Sequence, residues 1–147
     1  MQPQMQQDSV VLSDVMGRDR SINVFASYAR DSAALSARLD DRARNSTVLA
    51  PLNSAIDALP RKPWEDPRDY DGPLGAHAYD GDDGRDRAAR NLRRFVDAHV
   101  VPLSPWPRGE AAAAPTLLDG DRRVWWETRQ DGVRVVSPDA GRGGGQK

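Results

Sequence analysis

The residues that could do chemistry are few. The two histidines, His77 and His99, are the only imidazoles that could serve as a general base. His77 lies in "DGPLGAHAYDGDDGRD", where Asp71, Asp80 and Asp82 are close in sequence, so a metal-assisted hydrolase built on His77 and this Asp-rich loop is one reading. A flexible loop, however, places catalytic groups poorly. The acidic run also has the density of a calcium loop, but with Asp80 as position one, position twelve is Asn91 where a bidentate Glu is needed. His99 follows a helical pattern and opens an apolar strand, which reads as a core histidine. Asn45-Ser46-Thr47 fits the acceptor pattern for N-glycosylation, which makes Asn45 a candidate if the chain enters the secretory pathway. There is no cysteine, so disulfides, thiol nucleophiles and thiolate metal sites are excluded.

Composition narrows the partners. The 147 residues suit one domain, and 38% apolar content alongside abundant Gly, Pro and charge implies a modest core with long connecting segments. A net charge of −1 supplies no field to attract nucleic acid or an anionic membrane. No apolar run reaches membrane-spanning length, and the start "MQPQMQQDSVVLSD" has no signal-peptide pattern. Nothing calls for a cofactor or a metal. The expected partner is a protein or a cell-surface or matrix component, with no nucleic acid and no membrane span.

The elements that must position these residues follow from periodicity. Residues 1–8 read as a disordered start, and Ser9 to Val15 as an apolar lead-in. Ile22, Phe25 and Tyr28/Ala29 recur at helical spacing with Ser21 placed to cap them, and Leu35 and Leu39 mark a second helix from Asp31 or Ser32. Thr47, Val48 and Leu49 form a β-prone run before Pro51, and Asn53 can cap a brief helix through Leu59. Residues 63–86 read as a long polar loop. Arg85 to Ala98 returns to helix, with Leu92, Phe95 and Val96 on one side and Arg87, Arg90 and Arg94 on a solvated one. "HVVPL" reads as a strand. Two Asp-Gly turns follow, Asp119-Gly120 before the run Val124–Thr128 and Asp131-Gly132 between it and Val133–Val136, a meander in which the adjacent Trp125 and Trp126 face opposite sides. Helices first and a sheet last make an α+β fold, and residues 138–147 read as a Gly-rich tail.

Three stretches carry a resemblance. "TVLAPLNSAI" (Thr47 to Ile56) resembles the first signature of the fasciclin-like domain family. "LRRFVDAHVVP" (Leu92 to Pro102) resembles its second, and "TLLDG" (Thr116 to Gly120) its following turn. The order matches too, and the likeness is greatest to small single-domain fungal fasciclin-like proteins, over Ser9 to about Val136. The resemblance implies a wedge of mixed β-sheet with several short helices spanning residues 9–137. It implies a non-enzymatic adhesion or protein-interaction module, at the cell surface, outside the cell or in the vacuolar lumen; the alternative is a vacuolar or intracellular scaffold without adhesive activity. Thr47, Val48, Ala50, Pro51, Asn53, His99, Val100 and Val101 carry over as structural positions, His99 as a buried histidine. Ala98 stands where animal adhesion members carry a Tyr. The family's pattern goes on to a closing strand where this chain reads "SPDAGRGGGQK", so the expected wedge is one that can lack that strand.

Overall fold

The structure is a computed structural model that describes residues 11–118, 120 and 122–139. The expected disordered start, most of the expected tail and Asp119 of the third motif lie outside the described residues. The chain divides into two compact units, one built from residues up to Arg44 and from Ala50–Asp97, the other from Asn45–Leu49 and the residues from Ala98 onward.

The first unit is helical. It holds α1 (Leu12–Arg18), α2 (Asn23–Asp31), α3 (Ala33–Asp40), α4 (Asn53–Asp57), α5 (Pro67–Tyr70) and α6 (Gly81–Asp97), with 3₁₀ turns at Arg20–Ile22 and Gly75–His77. The apolar stripe of α2 buries Phe25, Ala26 and Ala29, and Leu35 and Leu39 of α3, Ile56 of α4 and Val96 of α6 are buried with them. Phe25 is wholly sealed, its ring tilted against Phe95 with centroids 6.4 Å apart. Helix α3 begins as its sequence suggests: the Ser32 hydroxyl accepts from the Leu35 N–H at 3.3 Å.

Helix α2 begins differently. Ser21 is not its cap; Ser21 donates its N–H (2.9 Å) and hydroxyl (2.6 Å) to Asp19, which caps the 3₁₀ turn instead. The open first turn of α2 is completed from far along the chain. Asn53 Oδ1 accepts from the Val24 N–H at 3.0 Å, while Asn53 Nδ2 donates to the Arg20 carbonyl (3.0 Å) and to Asn23 Oδ1 (2.9 Å). Asn53 therefore caps another helix, not its own, which starts after Leu52 without a side-chain cap. Asn53→Ala is expected to lower stability by about 1–3 kcal/mol, since the half-buried Val24 N–H loses its acceptor while the Arg20 carbonyl and Asn23 lose their donor. Asn53→Asp should not rescue it, because both donors are lost. Urea titration checks this, and a loss below ~0.5 kcal/mol for both variants would overturn the assignment.

The segment 63–86, expected to be an irregular polar loop, is largely folded. Asp66 caps α5 by accepting from the Arg68 N–H at 2.9 Å, with Pro67 pre-set at the first helical position. The acidic run "GDDG" is the first turn of α6, where Asp82 and Asp83 suit the positive end of the helix dipole. Gly81 takes φ +69°, letting the chain double back into the helix, and Gly84 lies directly over the Tyr79 backbone.

The second unit carries the strands. In one sheet β1 (Thr47–Val48) pairs with β2 (Val100–Val101); in the other β3 (Ala114–Pro115), β4 (Arg123–Thr128) and β5 (Arg134–Pro138) form a meander. The fold is α+β, and where a mixed sheet was expected the described strands make two small antiparallel ones, because each pairing joins segments that run oppositely. Strand β5 runs on to Pro138, past the point where the tail was expected to begin. Val101, Trp106 and Ala114 form the buried centre, with Leu49, Val124 and Trp126 packed on it. Trp126 Nε1 donates to the Trp106 carbonyl at 2.9 Å and Trp106 Nε1 to the Ala112 carbonyl at 3.1 Å, so the buried Trp106 and the half-buried Trp126 both have the indole N–H satisfied. Trp125 lies on the other face of β4, in register with Ser137.

Candidate functional site

Strand β1 lies against β2 in the register Thr47↔Val101 and Val48↔Val100, and the Leu49 N–H extends the ladder to the His99 carbonyl at 2.7 Å. Successive carbonyls of a strand point to opposite sides. The Val100 carbonyl therefore points away from β1, and there it accepts from the Leu117 N–H at 2.9 Å. The Thr47 hydroxyl adds a 2.6 Å bond to the Leu103 carbonyl. All three motifs thus meet on one short strand: the first pairs with the second along one edge, and the third closes the other.

Burial separates these positions. Val100 and Val101 are wholly sealed. Thr47, Val48, Ala50, Pro51, Asn53 and His99 are half-buried, so His99 is not the fully buried histidine expected of it; it lies in the turn after α6 at the edge of the two-stranded ladder, where its carbonyl accepts from the Leu49 N–H. Ala50, Pro51 and Asn53 belong to the helical unit. Asn45 is exposed just ahead of β1, followed by the buried Ser46.

The comparisons with known proteins decide the family. The chain is 63% identical over 130 residues to a FAS1 domain-containing protein of Neurospora crassa, a match covering 88% of this chain and 55% of that protein. The chain belongs to the fasciclin-like (FAS1) family. FAS1 domain-containing proteins of Aspergillus fumigatus (50% identity; 78% of this chain, 48% of the relative) and Emericella nidulans (51%; 84% and 49%) are similar as well. This fasciclin-like chain spans about half the length of the curated relatives it matches. No family profile matches it, and neither does any solved structure.

The catalytic candidates are placed as follows. His77 ends a 3₁₀ turn with its side chain 80% exposed, its Nδ1 lying 2.8 Å from Asp80 Oδ2. Among the described residues, no group of three or more His, Cys, Asp or Glu side chains stands close enough to hold a metal ion. Among them, too, no helix is long and apolar enough to cross a membrane.

What sequence reasoning missed is a polar knot in the fasciclin-like chain's first unit. The Tyr79 hydroxyl accepts from the Asp66 N–H (2.8 Å) and from Asn91 Nδ2 (3.1 Å), and donates to Asp69 Oδ2 (2.7 Å). Asn91 Nδ2 also reaches Asp69 Oδ2 at 3.0 Å and the Trp64 carbonyl at 3.1 Å. Trp64 and Tyr70 both stand edge-on to the Tyr79 ring, at 5.6 and 5.4 Å. The Glu65 carboxylate that accepts from the Tyr70 hydroxyl at 2.6 Å pushes that phenol up to about 12. Hydrogen bonds from Tyr79 and then Asn91 hold the Asp69 carboxyl below its ordinary 3.8. A depressed folded pKa stabilises above the ordinary value and ceases to as pH falls through the lower one. The knot's pH window therefore lies below 3.8. Tyr79→Phe is expected to bring the Asp69 pKa back up toward 3.8, measured by carbon-detected NMR titration. An unmoved titration would show that the hydroxyl is not its anchor.

Proposed function

We propose that this chain is a non-enzymatic protein-interaction module of the adhesive, fasciclin-like kind, acting at a cell surface or in the lumen of the secretory pathway. The observation that carries the reading is the use made of the signature residues. Thr47, Val48, His99 and Val100 are engaged through backbone ladder bonds and one hydroxyl–carbonyl bond, which is scaffolding chemistry, and Asn53 serves as a helix clip. The family's names in fungi describe a domain rather than a reaction, in keeping with a module that works through its surface. The exposed Asn45 ahead of β1 suits a luminal or extracellular placement, where it would accept a glycan.

The test is adhesion of beads coated with the purified chain to fungal cells, against beads coated with albumin. Retention several-fold above the control, abolished by soluble chain, is expected. Retention equal to albumin would defeat the reading, and so would turnover of a substrate that disappears with His77→Ala while the fold survives.

A further inference from the structure

A cleft of about 290 Å³ opens in the helical unit, walled by Tyr28 and Asp31 of α2, Ser32 and Ala33 at the turn into α3, and Ala89, Arg90, Leu92 and Arg93 of α6. Its chemistry is uneven. Leu92 and Tyr28, both half-buried, give it an apolar floor, while Arg90 and Arg93 stand exposed at its edge. The i, i+3 spacing puts the two guanidinium groups on one helix face, one turn apart. Two other arginines of α6 are occupied: Arg85 pairs with Asp82 at 3.5 Å, and Arg87 donates to the Ala78 carbonyl. Arg90 and Arg93 form no ion pair with any described carboxylate. Asp31 across the cleft offsets one of the two charges, leaving a net positive edge.

We propose that this cleft docks a partner segment that carries a carboxylate next to an aliphatic or aromatic side chain. The inference rests on the protein-interaction reading and names the chemistry of the partner. The carboxylate would sit between Arg90 and Arg93, whose planar donor forks suit it, and the apolar neighbour would cover Tyr28 and Leu92. Size favours a segment over a free small molecule. The cleft falls at the small end of ligand pockets and lies open along one side, so it can take two adjacent side chains but cannot enclose a whole ligand. Tyr and Arg around a small apolar floor are also the residues that anchor protein contacts.

The experiment is selection of a phage-displayed library of random twelve-residue peptides on the immobilised full chain. Selected peptides are then titrated against the wild type, Arg90→Glu/Arg93→Glu, and a control with the same charge change elsewhere, Arg61→Glu/Arg108→Glu. All four positions are exposed, so the folds should survive, and circular dichroism verifies it. Enrichment of peptides with Asp or Glu within four residues of Leu, Ile or Phe is expected. Their affinity should fall about tenfold or more in the cleft variant, hold in the control, and weaken with added salt. Peptides that bind the cleft variant as tightly as the wild type would overturn the assignment while leaving the protein-interaction reading intact. A selection with no acidic–apolar enrichment would overturn it too, and the bead assay judges the broader reading independently.

Discussion

Gly84→Ala is expected to destabilise the chain by about 3 kcal/mol or more, although the same change in most helices is stabilising by roughly 0.5–1 kcal/mol. The reason is a backbone, which cannot step aside. A Cβ at position 84 would meet the Tyr79 carbonyl carbon at 2.0 Å, its oxygen at 2.4 Å and its Cα at 2.5 Å. Relief would require moving the turn that carries Tyr79, and that turn holds the knot of Asp66, Asp69 and Asn91. The cost therefore spreads from one methyl group to the whole of the segment laid on α6. Gly17→Ala is the matched control, because nothing lies within 4 Å of its added Cβ. Thermal melts of both variants check the pair; equal melting temperatures would mean that Gly84 is not under this constraint.

Phe25→Ala is expected to cost about 3–5 kcal/mol, the range for deleting a sealed aromatic side chain. Phe25 is fully buried on α2, and removing its ring leaves Phe95, whose centroid is 6.4 Å away, facing a void. Phe25→Leu should recover much of the loss, since it restores volume without the ring's shape. Denaturant titration distinguishes the causes. A lower midpoint at unchanged slope reports lost packing; a changed slope would instead point to a different unfolded or native ensemble.

Much of the fold was legible from local chemistry, and the failures have local causes. The helix starting at Asp31 or Ser32 was readable because the stripe Leu35–Leu39 lies within a few residues of its start, which the structure places at the Ser32 cap. The meander was readable because the turn before Arg134 is written into adjacent residues, with Gly132 at φ +85°. Helix α1 stands where the sequence reads as an apolar lead-in: Leu12, Val15 and Met16 keep helical spacing, but a helix of 7 residues is too short for the period to declare itself. The segment 63–86 was misjudged because its order comes from tertiary bonds: "DPRDY" does announce a capped turn, but nothing nearby announces that Tyr79 and Asn91 will meet it. Asn53 was recognised as a capping residue and assigned to its own helix, since sequence adjacency cannot reveal a client twenty-nine residues upstream. The cleft was invisible for the same reason, since Arg90 and Arg93 gain meaning only from Tyr28 across from them.

The pairing of β1 with β2 also sets a timetable. Val48 leaves the ribosome about fifty residues before Val100, its partner in the ladder, which at ~5–20 residues per second is a delay of several seconds. The Val100 carbonyl then waits a shorter interval for Leu117, which closes it. During the first interval the nascent chain presents an unpaired apolar strand, a natural substrate for a chaperone. α2, likewise, is synthesised before the asparagine that finishes its first turn. Slower translation between the first signature and the second is therefore expected to lengthen that exposure, and codon choice across residues 57–91 offers a handle on it that leaves every side chain unchanged.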